Sequence, residues 1–171
     1  DSTMPAFRLA HLSDPHLGPL PPARRRELAS KRIFGYVNWH RNRSRTMGAG
    51  ALAALVDDLA AEGFDHLAVT GDLVNIALPD EFTAAAAWLA TLGAPDRVTV
   101  VPGNHDAYVP GALERGIGAW GEYMSDDETG RAGVFPFVRI RPPVAIVGTS
   151  SAMPTPPLWA TGHFDEAQAE R

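Results

Sequence analysis

The chain has 171 residues, with 15 Lys and Arg against 20 Asp and Glu and a formal net charge of −5. Its length fits one domain, and 45% hydrophobic with 20% charged residues is typical of a globular protein. The absence of cysteine excludes a disulfide framework, a thiolate metal site and a thiol nucleophile. No apolar run reaches the length of a membrane span, and the first residues lack a signal-peptide pattern, so we expect a cytoplasmic location.

Short β-type runs alternate with helical stretches along the chain. Strands are predicted over FRLAHL (7–12), HLAVT (66–70), RVTVVPGN (97–104), VFPFVRI (134–140) and VAIVGTS (144–150). Helices are predicted over GAGALAALVDDLAAEG (48–63) and DEFTAAAAWLATLG (80–93), where apolar residues recur at helical spacing and a Gly ends the run. This order predicts an α/β fold with a largely parallel sheet, in one domain over residues 1–171.

Side chains able to bind a metal ion follow each of the first three predicted strands. They are Asp14 and His16 after the first, Asp72 after the second, and Asn104, His105 and Asp106 after the third. The carboxyl ends of parallel strands meet at one edge of a sheet, where ligands bind. Asp14 and His16 alone would favour an ordinary strand-end turn, but three strands with such residues favour a shared site.

The chemistry of these residues predicts a pair of metal ions. Asp14, His16, Asp72 and Asn104 supply oxygen and nitrogen ligands, which suit Mn, Fe, Zn or Co better than Ca. Asp72 comes alone between the other groups and is a natural bridge between two ions. Two ions about 3.5–4 Å apart lower the pKa of a bridging water and hold a phosphoryl group for in-line attack by the hydroxide.

His105 is predicted to act on the substrate rather than to bind metal. Its imidazole is suited to stabilise the leaving oxygen or to donate a proton to it, and Asp106 could orient the ring. Gly71 and Gly103 directly precede the candidate ligands, and tight turns there would direct the side chains over the edge of the sheet.

Three motifs together resemble the calcineurin-like metallophosphoesterase superfamily: DPH (14–16), GDLVN (71–75) and GNHD (103–106). The resemblance implies a β-sandwich of two mixed sheets flanked by helices, and a dinuclear-metal phosphoester hydrolase of the phosphodiesterase or pyrophosphatase type. Position by position, it implies ligands of the first metal at Asp14 and His16, the bridging ligand at Asp72 and a ligand of the second metal at Asn104. It also implies a catalytic histidine at His105, with Asp106 as its partner.

The later motifs of the superfamily, an isolated His and a Gly-His-x-His block, are absent. The last histidine, His163, lies in GHFD (162–165), which has Asp where the second His belongs and resembles the start of a helix more closely. The resemblance therefore implies that the C-terminal part of the fold, with three more ligands, is missing. We expect such an incomplete chain to bind metal weakly and to turn over slowly.

A basic segment, residues 19–46, has a net charge of +7 and leaves −12 for the remainder of the chain. Aromatic and aliphatic residues alternate with its Arg and Lys between 31 and 41. One interpretation is a solvated insertion that packs on the domain. Another is a cap beside the site, for a phosphorylated small-molecule or lipid-linked substrate, and a third is peripheral contact of residues 24–45 with an anionic membrane.

Two other functions stay open from the sequence alone. The first is a non-catalytic scaffold that keeps the fold without the complete ligand set. The second is a metal-dependent nuclease, since Arg with aromatic residues suits nucleic acid. The acidic bulk of the chain disfavours a long surface for binding duplex nucleic acid.

Overall fold

The structure is a computed structural model that describes residues 6–43 and 49–171. The strands within these residues are β1 (Leu9–Ser13), β2 (His66–Thr70), β3 (Val98–Val101), β4 (Phe137–Arg141) and β5 (Val144–Gly148). The α-helices in the same described part of the chain are α1 (Arg32–Asn38), α2 (Ala49–Glu62), α3 (Pro79–Leu92), α4 (Ala112–Trp120) and α5 (Glu166–Ala169). A π-helical turn (Trp39–Arg43) continues α1, and a 3₁₀ turn (Gly121–Met124) continues α4.

The first three strands form a parallel sheet in the order β1-β2-β3, as the alternation of strands and helices predicts. Leu12 is the partner of Val69 in the register, and Val69 is the partner of Val100. These apolar side chains are buried because helices cover parallel sheets. The strands end together at Ser13, Thr70 and Val101, so the loops that follow them leave from one edge.

The last two strands form an antiparallel pair, as expected from their sequence, with Phe137 opposite Gly148. The ring of Phe137 lies over Gly148, and a Cβ at that position would overlap it. The described residues thus contain parallel and antiparallel sheets flanked by helices, which fits the predicted α/β class. Neither of these sheets is itself mixed, and the two-sheet sandwich remains a prediction.

The core lies between the parallel sheet and its covering helices. Phe82, Ala85 and Leu89 face it from α3 at the spacing of one helical stripe. Trp120 at the end of α4 stacks on Phe82 with ring centroids 5.3 Å apart. The sequence did not predict α4, because its stretch is only nine residues long and contains two glycines, which disfavour a helix.

Arg139 of β4 joins the antiparallel pair to the parallel sheet. Its guanidinium is buried and donates to the carbonyl oxygens of Val98 at 2.8 Å, Pro95 at 2.6 Å and Glu122 at 2.6 Å. Burial and the neighbouring Arg141 lower the pKa of Arg139. A buried cation needs such a set of acceptors, because an unpaired charge inside a protein is costly.

The basic segment forms a short helix that packs on the domain near the edge of the sheet. Arg32 donates to the carbonyl oxygens of Ile76 at 2.9 Å and Ala77 at 2.6 Å. A Cβ at Gly35 would overlap Ile76 and the hydroxyl of Tyr108, so α1 approaches that loop closely. The end of the segment, residues 44–46, lies outside the described residues.

The helices of residues 6–43 and 49–171 do not include a membrane span. None of them combines the length and apolar character needed to cross a bilayer.

We predict that His66 makes the stability of the fold depend on pH. Its ring is fully buried, with Nε2 2.7 Å from Thr99 Oγ1, and burial, Arg141 and Arg139 lower its pKa from 6.5 to about 4. The folded state therefore binds fewer protons than the unfolded state within this range. The stabilisation is complete above pH 6.5 and is lost as the pH falls towards 4, by about 3 kcal/mol in total.

Urea unfolding at pH 7.5 and pH 4.5 measures this effect. The variant His66→Gln keeps a donor for Thr99 without a titrating ring, so the free energy of unfolding of the original protein should fall relative to that of the variant between pH 7.5 and pH 4.5. An equal change in the variant and the original protein would contradict the prediction.

Candidate metal centre

The loops that follow β1 and β2 run side by side over the edge of the sheet. The backbone N–H of His16 donates to the Asp72 carbonyl oxygen at 2.9 Å, and Leu17 donates to Leu73 at 2.9 Å. Asp14, His16 and Asp72 have φ values of 50°, 40° and 51°, in the left-handed region that non-glycine residues seldom adopt. Each of these residues is thus held in a strained conformation, and such strain is common at functional sites.

The two glycines that precede the candidate ligands have different roles. Gly71 has a φ of +75° and makes the tight turn that the sequence predicted. Gly103 does not have a positive φ, and its role is steric. A Cβ on Gly103 would overlap the Asp72 carboxylate, so glycine is required there for that carboxylate to keep its position.

Three of the predicted residues from three different loops meet at one point. One potential ligand atom from each of His16, Asp72 and His105 lies within 4.8 Å of the others. His16 Nε2 is 3.7 Å from Asp72 Oδ2, and both side chains are buried. The rings of His16 and His105 lie edge to face, with centroids 4.7 Å apart.

Backbone carbonyl oxygens hold both imidazoles through Nδ1. His16 Nδ1 is 3.3 Å from the Val74 carbonyl oxygen, and His105 Nδ1 forms a short hydrogen bond with the Asn75 carbonyl oxygen. Because a carbonyl oxygen only accepts, Nδ1 carries the hydrogen in both rings. Nε2 of each neutral ring therefore keeps its lone pair, and this arrangement is the usual second contact of a metal-binding histidine.

Asp14 and Asn104 lie with Asp72 around a neighbouring cavity of about 260 Å³. Asp14 is exposed and does not belong to the close group of three, and the far wall of the cavity includes Ser151 and Gly162. Asp72 thus borders the histidine group on one side and the cavity with the two oxygen donors on the other. The structure brings the four predicted ligands and His105 to one edge of the sheet.

The donor set fits a metal ion of the kind predicted. Imidazole nitrogen with carboxylate and amide oxygen suits Mn, Fe, Zn or Co. His16 and His105 already have their Nδ1 hydrogen directed to a carbonyl oxygen. His105, which the sequence placed next to the metal without a ligand role, lies close enough to His16 and Asp72 to share in binding.

Asp106 does not orient the ring of His105, and the predicted contact is replaced by another. Its buried carboxylate accepts hydrogen bonds from the backbone N–H groups of Leu73 at 3.0 Å, Val74 at 3.1 Å and Gly103 at 2.9 Å. Burial raises the pKa of Asp106 to about 7, while these three donors act in the opposite direction. Asp106 therefore joins the loop after β2 to the loop after β3.

Two further residues support the site: Glu81, which lies outside the three motifs, and Asn75, the last residue of GDLVN. Glu81 at the start of α3 is buried and accepts from the backbone N–H groups of Asn75 at 2.6 Å and Leu78 at 2.8 Å. The side chain of Asn75 donates to the Leu17 carbonyl oxygen at 2.8 Å and so joins the loop after β2 to the loop after β1. A Glu in the first turn of a predicted helix, where its carboxylate can accept from the preceding backbone N–H groups, is the sequence signal that could have identified Glu81.

Tyr108 and Lys31 extend the site towards the basic segment. The ring of Tyr108 stacks on the ring of His105, with centroids 5.4 Å apart and an interplanar angle of 22°. Lys31 Nζ lies 4.3 Å from the centroid of the Tyr108 ring and donates to the Thr155 carbonyl oxygen at 2.6 Å. Burial lowers the pKa of Lys31. The sequence indicated neither contact: Lys31 lies far from Tyr108 along the chain, and no motif marks Tyr108, three residues after His105, as a partner of that ring.

A larger cleft of about 620 Å³ opens beside the centre. Asn104 and His105 lie on its inner side, and α1 with its π-helical turn forms one wall. Pro157, Leu158 and Trp159 form part of the opposite wall. The basic segment thus lies at the rim of the site, as its position after the first motif predicted.

A comparison with models of protein families identifies the family of the chain. The model of the calcineurin-like phosphoesterase family matches residues 7–153. The chain belongs to this family. No curated protein gives a significant sequence match to the chain.

Family membership points to metal-dependent phosphoester hydrolysis, and the group of His16, Asp72 and His105 could hold the metal. The family match confirms the resemblance drawn from the three motifs. His163 is exposed and lies outside this group. The GHFD stretch leads into the short helix α5, as its sequence indicated, and Gln168 of that helix forms two hydrogen bonds with the backbone of Ser150, at 2.9 and 3.0 Å.

We predict that Gly103→Ala weakens metal binding by tenfold or more, because the new Cβ displaces the Asp72 carboxylate. Tenfold corresponds to about 1.4 kcal/mol. Titration calorimetry with Mn²⁺ measures the affinity, and circular dichroism checks the fold. Gly118→Ala is the matched control, since Gly118 lies in a helix and a Cβ added there would have no neighbour within 4 Å. Unchanged Mn²⁺ affinity in Gly103→Ala would show that Asp72 is not a ligand.

We predict that Asp106→Ala destabilises the metal-free protein by about 3 kcal/mol or more, since three buried N–H donors lose their acceptor. For a chain of this length the melting temperature should fall by about 10 °C. Asp14→Ala, at an exposed candidate ligand, should leave the melting temperature of the metal-free protein nearly unchanged. Equal melting temperatures for Asp106→Ala and the original protein would contradict the role of Asp106 as the acceptor that joins the two loops.

Proposed function

We propose that the protein is a dinuclear-metal-dependent phosphoester hydrolase of the phosphodiesterase or pyrophosphatase type. The observation that carries the proposal is the meeting of His16, Asp72 and His105 within 4.8 Å at the edge of the parallel sheet. Family membership supports the reaction class. The non-catalytic scaffold and the nuclease remain the alternatives that the test must separate.

The position of Asp72 supports a pair of metal ions rather than one. Its Oδ2 faces His16, its Oδ1 accepts the backbone N–H of His105 at 2.8 Å, and its carboxylate also lines the cavity with Asp14 and Asn104. A carboxylate between two donor groups is suited to bridge two ions. We propose that His16 and Asp14 contribute to one ion and Asn104 to the other, with Mn, Fe, Zn or Co as candidates.

Metal ions bound there would neutralise the charge of the phosphoryl group and activate a water molecule for attack on phosphorus. The residues of the chain supply the remaining chemistry. His105 keeps its Nδ1 hydrogen on the Asn75 carbonyl oxygen, so Nε2 is the atom that can exchange a proton with the leaving oxygen. Tyr108 stacked on the ring limits its rotation, and Asp72 limits the movement of the His105 backbone.

The basic segment is proposed to act as a cap for a phosphorylated substrate. What supports this is that α1 and its π-helical turn line the cleft beside His105. Two of its cations, Lys31 and Arg32, donate to backbone carbonyl oxygens of the domain rather than facing solvent. Peripheral contact with an anionic membrane through the exposed Arg24–Arg26 remains a separate proposal, to be tested by sedimentation with anionic vesicles.

Hydrolysis of bis-(p-nitrophenyl) phosphate with added Mn²⁺ tests the proposed function. His105→Ala should lower kcat by about 10²–10⁴-fold, as expected on loss of an acid–base group, and Asp72→Ala should abolish Mn²⁺ binding with the activity. His163→Ala is the matched control, because that histidine is exposed and lies outside the group, and it should retain full activity.

The alternatives give different results in the same experiment. A scaffold would bind Mn²⁺ without hydrolysis by any variant. A nuclease would cleave single-stranded or duplex DNA much faster than the small diester. Equal rates for the original protein, Asp72→Ala and His105→Ala would mean that the measured hydrolysis does not arise at this centre.

A further inference from the structure

We propose that the 620 Å³ cleft beside the centre binds an aromatic substituent of the substrate, so that the enzyme selects aromatic phosphodiesters over small alkyl ones. This inference rests on the proposed function and specifies its substrate class. The binding surface comes from two parts of the chain outside the three motifs: α1 with its π-helical turn, and the loop around Trp159.

The cleft is continuous with the position where the phosphoryl group would lie. Asn104 and His105 line it, and Asn104 also lines the cavity that contains Asp14 and Asp72. A group attached to phosphorus would therefore extend from the metal cavity past Asn104 into the cleft. Its volume of about 620 Å³ lies within the usual range of small-molecule sites.

The walls of the cleft present apolar side chains that are open to solvent. Phe34 is 61% exposed, Trp159 65% and Leu158 101%, and all three line the cleft. Scattered exposed apolar residues need no explanation, but a cluster on the walls of one concave site is typical of a ligand pocket. A bound apolar group would cover these surfaces.

The chemistry of the lining favours an aromatic ring over a charged group. Four aromatic side chains contribute to it: Phe34, Trp39, Tyr108 and Trp159. Within the described part of the chain, Arg41 is the one Lys, Arg, Asp or Glu side chain on its walls. Flat rings stack favourably on aromatic side chains, and such stacking tolerates different ring structures.

Hydrogen bonds hold both walls in place before any ligand arrives. Arg32 fixes α1 to the carbonyl oxygens of Ile76 and Ala77, and Lys31 connects it to the Thr155 carbonyl oxygen across the cleft. Thr155 Oγ1 in turn donates to the Trp159 carbonyl oxygen at 2.7 Å. A site formed in advance loses little entropy when a ligand binds, which suits it to discriminate between substituents.

The test compares two diesters with the same leaving group, methyl p-nitrophenyl phosphate and phenyl p-nitrophenyl phosphate, in the presence of Mn²⁺. We expect the phenyl ester to have a kcat/KM at least tenfold higher, mainly through a lower KM. Trp159→Ala and, separately, Phe34→Ala should reduce this ratio to near one while the rate for the methyl ester is retained. Phe164→Ala is the control, because Phe164 is 50% exposed but does not line the cleft.

A binding measurement makes the result independent of turnover. Titration calorimetry should give phenylphosphonate at least tenfold higher affinity than methylphosphonate, with the difference lost in Trp159→Ala. Preferential binding of phenylphosphonate without hydrolysis of either ester would support the aromatic subsite and overturn the proposed function. Hydrolysis of both esters with equal kcat/KM would support the proposed function and overturn the aromatic subsite.

Two further results would overturn the aromatic subsite. One is equal or undetectable binding of the two phosphonates. The other is a higher kcat/KM for octyl p-nitrophenyl phosphate than for the phenyl ester, which would indicate an acyl-chain site and a lipid-linked substrate.

Discussion

The candidate centre depends on one buried carboxylate, that of Asp106, which connects two of the three loops on which the candidate ligands lie. By accepting three backbone N–H groups from Leu73, Val74 and Gly103, it fixes the distance between the loop after β2 and the loop after β3. Asp72 lies on the first of these loops and His105 on the second. Their geometry is therefore set by a residue that need not touch the substrate, as is common for sites built on a rigid scaffold.

Buried or half-buried cations connect the other parts of the structure in a common way. Arg139, Arg32 and Lys31 all donate to backbone carbonyl oxygens of neighbouring segments. Arg139 thereby joins the two sheets, while the other two attach the basic segment to the site. The positive charge of residues 19–46 is thus partly structural, and its clustering in the sequence did not distinguish this role from contact with a membrane.

The sequence was most informative where a function depends on a short local pattern. The grouping of the candidate ligands at one edge of the sheet could be predicted because each motif lies at the end of an apolar run, and parallel strands bring such ends together. The partners of Asp106 could not be predicted in the same way, because the side chains of neighbouring residues often point in different directions. Asp106 accepts from three backbone N–H groups and does not pair with His105. Likewise, the stack of Tyr108 on His105 and the role of Glu81 arise from loop conformations that no periodicity specifies. The helix Ala112–Trp120 was missed because it is short and contains two glycines.

The left-handed backbone at Asp14, His16 and Asp72 has a consequence for how such a protein evolves. Each of these residues holds a conformation that glycine would adopt without strain, at a cost on the order of 1 kcal/mol per site. Replacement by glycine would relieve that strain and remove a ligand at the same time. Selection for thermal stability alone would therefore act against the centre, and only a requirement for its chemistry would keep these side chains.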